Sequence, residues 1–455
     1  MRRLAALAVR EWNIRQGTLL FIGAFLVSAV LGIIRQALFN AQFGAGGAAD
    51  AYYAAFRLPE TIGNLIAGGA LSNAMIPVLI AARDVSRANE ERVVRLVFST
   101  LTTVALVGII IGMICAPWFV TRVLAPGFDA ATADLTVGVT RLLLLQLLFG
   151  IAGAAQQAVL NSRSQFLLPA LVIMGSNPLL IAGILAARAL PQLGVYGPAL
   201  GVVGDGLVQL LILLPGMQLN RIRLGFVWDL HDVQLREVLR LLLPSGGSAT
   251  INYAGGIIDT AFASLARAAA GLAAISNSIL LVGLPIRLLG IALAQAAFPQ
   301  LAAHAEHHNW RAMQRTLGRS LAASVGLTIP SALVFVLLGR WIIQILFERG
   351  RFDATAGDLT YALLVIYALG LPAYVATEVL TRALVALRDT LTPLATNIGQ
   401  IIGRALIIST TLTIWDVGAI PAAFAITCTI EALILGAVVW WKIQRRLRQP
   451  APDLA

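Results

Sequence analysis

Charge is scarce in this chain. Charged residues make up 12% of it, against 58% hydrophobic residues and a mean hydropathy of +0.84. A water-soluble domain carries about 25% charged residues, so a chain bathed in water on every side is excluded and an integral membrane protein is expected. Cysteine is almost missing. Cys115 and Cys428 both lie in apolar runs, too few for a disulfide framework or a metal cluster, and read as small core residues. The four histidines, His231, His304, His307 and His308, fall in expected loops; the His304/His308 spacing suits a metal but is more often a solvated loop face. There is no Walker A motif, which excludes ATP as the driving force, and no nucleophile–base pairing points to an enzyme. No cleavable signal peptide is read: Arg2, Arg3, Arg10, Glu11 and Arg15 with Trp12 suggest an interfacial amphipathic start.

Long apolar runs fill the rest. A hydrocarbon core about 30 Å thick takes about 20 apolar residues per helix. On that template twelve spans are expected, near 17–39, 52–80, 95–120, 136–160, 166–187, 196–216, 238–265, 271–302, 318–345, 358–386, 391–414 and 418–441. The net charge of +11 is topological rather than a nucleic-acid footprint. With the N-terminus inside, inner segments hold twenty-one Lys and Arg and outer segments hold six, the bias of cytoplasmic loops. Both termini are then cytoplasmic, which requires an even number of spans.

One stretch is written twice. FDAATADLT (128–136) and FDATAGDLT (352–360) share six of nine positions at an offset of 224 residues, each after a tryptophan, Trp118 or Trp341. In both, the phenylalanine is expected to anchor at the interface and the aspartate to cap or precede the next helix. LPETIGNLIAGGALSNAMIPVL (58–79) echoes LPIRLLGIALAQAAFPQL (284–301), aligning Pro59 with Pro285 and Pro77 with Pro299. The fold class expected is therefore all-α, about twelve transmembrane helices in two six-helix lobes related by a parallel repeat. The boundaries read as 1–217 for the N-terminal lobe, 218–236 for a basic cytoplasmic linker, 237–446 for the C-terminal lobe and 447–455 for a tail. Transporters built on such repeats place their site between the lobes near the midplane; a duplicated anchor or scaffold is the bland counterpart.

Six arginines fall inside spans: Arg35, Arg57, Arg141, Arg287, Arg382 and Arg404. Ionisable groups at membrane depth are costly and face a bundle interior or a wet cavity. Arg141 and Arg404 are read as snorkelling to the nearest interface. Arg35 lies late in span 1. Arg57 follows Asp50 and stands beside Pro59 and Glu60, and Arg287 follows the helix-breaking Pro285. Glu378 and Arg382 are four apart on one face, and Asp259 stands one turn after Gly255-Gly256. Arginines lining a cleft would suit a phosphate headgroup, and carboxylates a coupling cation or proton. Gly68-Gly69, Gly246-Gly247, Gly255-Gly256, Pro178, Pro244 and Pro372 are expected bend points.

The stretch FGAGGAADAYYAAFRLPETIGNLIAGGALSNAMIPVL (43–79) carries a resemblance. Gly44, Ala45, Gly46, Asp50, Ala51, Phe56, Arg57, Leu58, Pro59, Gly69, Ala70, Ser72, Ala74 and Pro77 follow the pattern of the MurJ/MviN family of lipid II flippases, and LAPGF (124–128), GIALAQAAFPQL (290–301) and RDTLTP (388–393) resemble it too. The resemblance implies a bacterial inner-membrane protein that carries an undecaprenyl-pyrophosphate-linked peptidoglycan precursor outward by alternating access, through a cationic cavity and, in some members, with a sodium site. It implies substrate contacts from Arg35, Arg57, Asn64 and Arg287, a gate network of Asp50 and Glu60, and cation coupling through Asp259 and Glu378. Asp259 matches the family's sodium-site aspartate. No cofactor is implied beyond a coupling Na+ or H+. The implied partners are a lipid-linked anionic saccharide, membrane lipids and the cell-wall synthesis machinery. Departures from the pattern are visible: Ser28-Ala29-Val30-Leu31-Gly32 keeps only the second first-span arginine, as Arg35. Family charges are replaced at Gly63-Asn64, Gly68, Leu280 and Gly283, and the two further C-terminal spans of many relatives do not follow. Arg57 and Arg287 are expected to supply replacement charge. A cation-coupled drug or metabolite exporter, or a carrier of another lipid-linked polysaccharide unit, stays open beside the lipid II reading.

Overall fold

The computed structural model describes residues 9–66, 70–268 and 270–448, with backbone only for residues 14, 64–66, 70, 73 and 243–253. Every regular element among them is helical. The helices are α1 (Ile14–Phe43), α2 (Gly47–Ile66), α3 (Ala70–Val85), α4 (Arg87–Phe119), α5 (Ala130–Leu144), α6 (Gln146–Ser162), α7 (Leu167–Gly175), α8 (Pro178–Ala189), α9 (Tyr196–Leu219), α10 (Val233–Leu265), α11 (Gly271–Pro285), α12 (Ala292–Glu306), α13 (Trp310–Leu346), α14 (Ala354–Ala386), α15 (Leu391–Trp415) and α16 (Ala419–Arg448). Among the described residues each expected span window is mostly helical, with short breaks at Leu145 and at Ser176–Asn177. Nine stretches of the described residues are long and apolar enough to cross a membrane by length and composition, the last of them holding both α15 and α16. In lipid only a helix satisfies its own backbone, and that is why apolar runs of this length fold as they do.

The contacts divide the chain into two units, Met1–Ala261 with Arg349–Arg351, and Phe262–Glu348 with Phe352–Ala455. In the first unit Leu71, Met75, Val93, Val97, Ile151, Val159, Met217 and Leu235 form one core joining α3, α4, α6, α9 and α10. In the second, Leu301, Met313, Leu317, Val379, Leu380, Leu435 and Val439 join α12, α13, α14 and α16. Lipid tails are as apolar as these side chains, so close packing rather than exclusion from water holds the helices together. The α8–α9 pair shows how: a Cβ on Gly183 would stand 2.3 Å from the Gly197 carbonyl oxygen, and one on Gly201 2.5 Å from that of Leu179. Larger residues there would force the two backbones apart.

The repeat is reproduced at its polar positions. Asp129 caps α5, accepting from the N–H of Ala131 and Thr132, and Asp353 caps α14, accepting from the N–H of Ala356. Thr136 and Thr360 are both fully buried, and each hydroxyl donates 2.7 Å back to the carbonyl four residues earlier. The phenylalanines differ: Phe128 is half-buried, whereas Phe352 is a buried core residue rather than an interfacial anchor.

Proline leaves its marks where its missing N–H breaks the ladder. A π-helical turn, Val120–Leu124, follows Pro117, and another, Ile286–Ile291, follows Pro285. Such turns re-aim the side chains they carry. Pro178 restarts the chain as α8 after the break at Ser176–Asn177, whereas Pro372 lies within an unbroken α14 and Gly255-Gly256 within α10. Gly246-Gly247 and Pro244 are helical by backbone; Gly68-Gly69, Arg2, Arg3 and most of the tail lie outside the described residues. Cys428 is buried but Cys115 is exposed on α4, so only one cysteine is a core residue.

The segment between α9 and α10 is docked on α4. The Val227 N–H donates to the Ser99 hydroxyl at 2.8 Å, that hydroxyl donates to the Gly225 carbonyl, Phe226 packs on Phe98, and Arg92 pairs with Asp229 and Asp232 at 3.1 Å.

Candidate functional site

The first unit gathers its membrane-depth charges around α1, α2 and α10. Asp50 lies in the first turn of α2, where a carboxylate complements the helix dipole, and is buried. One face of the same helix carries Arg57 and Glu60, which pair at 3.4 Å. The Arg57 Nε donates to the Thr260 hydroxyl at 3.1 Å, and that hydroxyl donates to the Gly256 carbonyl at 2.8 Å. A guanidinium thus fastens α2 to α10 one residue from Asp259, itself only 4% exposed. The guanidinium lies against Gly256, where a Cβ would be in ordinary van der Waals contact with the Arg57 Nη1 at 3.5 Å. With 20% of its side chain accessible, Arg57 is committed to protein partners but not sealed. The backbone of Asn64 continues α2; its side chain lies outside the described residues.

Arg35 stands differently. It is half-buried on α1 and makes no hydrogen bond or ion pair among the described residues, though its charge reaches Tyr52 and Tyr53. Its neighbour Gln36 donates to Asn40 and to the Tyr53 hydroxyl, within an aromatic cluster of Phe39, Tyr52, Tyr53 and Phe56. Further along, α1 is held by Asn177, whose amide donates to the Ser28 carbonyl and hydroxyl.

The second unit holds a separate set. Arg287 is exposed on the π-helical turn after Pro285 and makes no ion pair among the described residues. Glu378 accepts from the Tyr374 hydroxyl and lies in the field of Arg382, one turn on along α14. Glu431 on α16 accepts from Thr396 at 3.1 Å and feels the charge of Glu378. Arg404 corrects a sequence expectation. Instead of snorkelling to an interface it is 7% exposed, its guanidinium 5.0 Å from the Phe424 ring, which in turn stacks with Tyr374 and Tyr367. An aromatic face supplies what an interface would otherwise give it. Arg141 remains exposed and donates to the Met113 carbonyl.

The candidates therefore fall into two groups. Arg35, Asp50, Arg57, Glu60 and Asp259 belong to the first unit, and Arg287 and Glu378 to the second. Thr260 and the buried state of Arg404 were not singled out by the sequence. Thr260 had one available signal, its place directly after Asp259 below the Gly255-Gly256 pair. Among the described residues no group of three or more His, Cys, Asp or Glu side chains is placed to hold a metal ion. Within the first unit Arg35, and within the second Arg287, each presents a guanidinium of the kind that pairs with an anion.

The protein-family model described as lipid II flippase MurJ matches residues 39–454. A probable lipid II flippase MurJ of Rhizobium meliloti (strain 1021) is 30% identical over 431 residues, covering 92% of this chain and 79% of the relative. The lipid II flippase MurJ of Burkholderia cenocepacia is 29% identical, covering 86% of this chain and 77% of its own length. Among solved structures, a lipid II flippase MurJ in an inward closed conformation aligns with a TM-score of 0.79 at 20% identity, over 94% of this chain and 91% of that one. An inward-facing multidrug resistance MATE family transporter of the MOP superfamily aligns at 0.77 and 13% identity, over 95% of this chain and 99% of that one. The folds are shared, and with a family model spanning most of its length and a relative at 30% identity, the chain belongs to the MurJ family.

Proposed function

We propose that this protein is a lipid II flippase. It carries a lipid-linked pyrophosphate saccharide from the cytoplasmic to the outer leaflet by alternating access, exposing its charged residues first to one side of the membrane and then to the other. It is a transporter and not an enzyme. The observation that carries the reading is Arg35, a guanidinium within an apolar span with no acidic partner among the described residues. A cation in that position is tolerated where water or an anionic ligand meets it, and its planar fork matches a phosphate oxygen pair.

In this reading Arg35 and Arg287 contact phosphate, with Asn64 alongside. Arg57, with Asp50 and Glu60, sets the geometry of α2 against α10 and keeps its exposed edge for the headgroup. Asp259 and Glu378 are oxygen donors of the kind a sodium ion or proton takes, and they serve coupling. The lobes are 1–217 and 237–446, joined by 218–236, with both termini cytoplasmic and the cell-wall synthesis machinery as partner.

Translocation in proteoliposomes tests the reading. A fluorescent lipid II is expected to be moved and to be protected from an externally added hydrolase, while organic cations are not exported. Sodium- or proton-driven efflux of organic cations with no movement of lipid II would establish the exporter instead. Movement only of another lipid-linked saccharide would reassign the headgroup.

A further inference from the structure

At the end of the first unit where α3 and α9 finish and α4 begins, a pocket of about 330 Å3 is lined by Arg83, Arg87, Glu90, Arg163, Leu219, Asn220 and Arg221. Four guanidinium groups face one carboxylate there. That carboxylate is spoken for: Glu90 is fully buried and pairs with Arg163 at 2.5 Å. Arg163 also donates to the Asn220 side chain at 3.2 Å, and Arg87 donates to the Asn220 carbonyl. Asn220 is fixed in turn by reciprocal bonds with Gln165 and by donating to the Gly216 carbonyl. The wall of the pocket is thus cross-linked by these bonds, while Glu90 Oε1 and Arg163 Nε are buried with no hydrogen-bond partner among the described residues. Arg83, Arg87 and Arg221 line the pocket and make no ion pair among the described residues, although Arg87 is held by the Asn220 carbonyl.

Two features set this apart from a merely basic loop. Arg221 follows the C-cap of α9 with φ of +52°, the left-handed position at which helices favour glycine. An arginine there carries backbone strain that glycine would relieve. The pocket also has an apolar edge. Leu219 is 45% exposed, and Leu200, Leu207, Leu211 and Leu214 form an exposed stripe up α9 at helical spacing. A phosphate in the pocket would have room for acyl chains alongside that stripe.

We infer that Arg83, Arg87, Arg163 and Arg221 form a phosphate-binding site, separate from Arg35 and Arg287, for the headgroup of an anionic phospholipid. Phosphate held by several arginines in fixed geometry is the strongest form of this recognition. The same chemistry accepts a soluble phosphate, and the test separates the two sources.

Purified protein is titrated with short-chain phosphatidylglycerol, short-chain phosphatidylcholine and sodium phosphate, with binding read by native mass spectrometry and thermal shift. Phosphatidylglycerol is expected to bind in preference to phosphatidylcholine. Arg83→Gln with Arg221→Gly is expected to weaken it about tenfold, the loss of a charge-assisted contact, with the melting temperature kept because glycine suits the left-handed turn. Arg83→Gln alone serves if the double variant does not fold, and Arg35→Ala is expected to leave this binding unchanged. Sodium phosphate binding as tightly as the lipid, and lost in the same variants, supports the site and makes its ligand soluble. Wild-type phosphatidylglycerol and phosphate binding by folded variants overturns the proposal.

Discussion

The Arg57 guanidinium and the Thr260 hydroxyl lie 3.1 Å apart and tie α2 to α10 across 203 residues of sequence. The bond is doubly constrained, because Arg57 also reaches Glu60 and Thr260 also holds the Gly256 carbonyl. Removing the arginine frees a helix face, whereas removing the hydroxyl strands a charged donor. Arg57→Ala is expected to lower stability by about 2 kcal/mol and Thr260→Val by about 1 kcal/mol, with the double variant losing less than the sum. Thermal denaturation of the purified variants in detergent checks it; strict additivity would mean the two side chains are not coupled.

The twin helix caps make a paired prediction. Asp353→Ala exposes the first N–H groups of α14, and loss of a capping side chain costs about 1 kcal/mol. Asp129→Ala at α5 is expected to act in the same direction, and Asn at either position to restore the wild-type melting temperature. Its carboxyl is held below its ordinary range by the Thr132 side chain and the N–H groups it caps. If Asn rescues neither site, the repeated aspartates serve something other than capping.

Acid stability has a local source. Asp389, in the loop between α14 and α15, is bound by the Lys442 ammonium and by Thr392. Partial burial alone would raise its carboxyl, but these partners outweigh it and hold it down, to about 2. A carboxyl depressed in the folded state adds stability that is complete above its unfolded value near 3.9 and fades as pH falls toward 2. Melting temperature measured from pH 6 down to pH 2 is expected to fall more steeply for the wild type than for Asp389→Asn. Parallel curves would contradict the assignment.

Much of this molecule was open to reading before any coordinate. Helix follows from apolar runs near 20 residues because only a helix satisfies its backbone within a single segment in lipid. The caps at Asp129 and Asp353 were visible because capping is local chemistry, readable from three or four adjacent residues. What stayed hidden depends on tertiary partners. Arg404 looked like a snorkelling side chain because its own helix offers no acid, and the Phe424 ring that shelters it lies on another helix. Phe352 looked interfacial because its neighbours are polar. The segment after α9 looked like a free linker since no pattern within it announces Ser99 as its anchor. Among the candidate residues, Arg57 and Glu60 stand close in sequence, but their pairing and the bond to Thr260 enter only through the fold.

In the proposed translocation Arg35 meets the substrate's phosphate. This contact is tested most directly by measuring lipid II translocation in proteoliposomes for the wild type, Arg35→Lys and Arg35→Ala, each with its melting temperature. Because Arg35 makes no ion pair or hydrogen bond among the described residues, Arg35→Ala is expected to keep its stability and to lose translocation by about tenfold or more, and Arg35→Lys to keep part of it. Wild-type translocation by a folded Arg35→Ala protein would contradict the account.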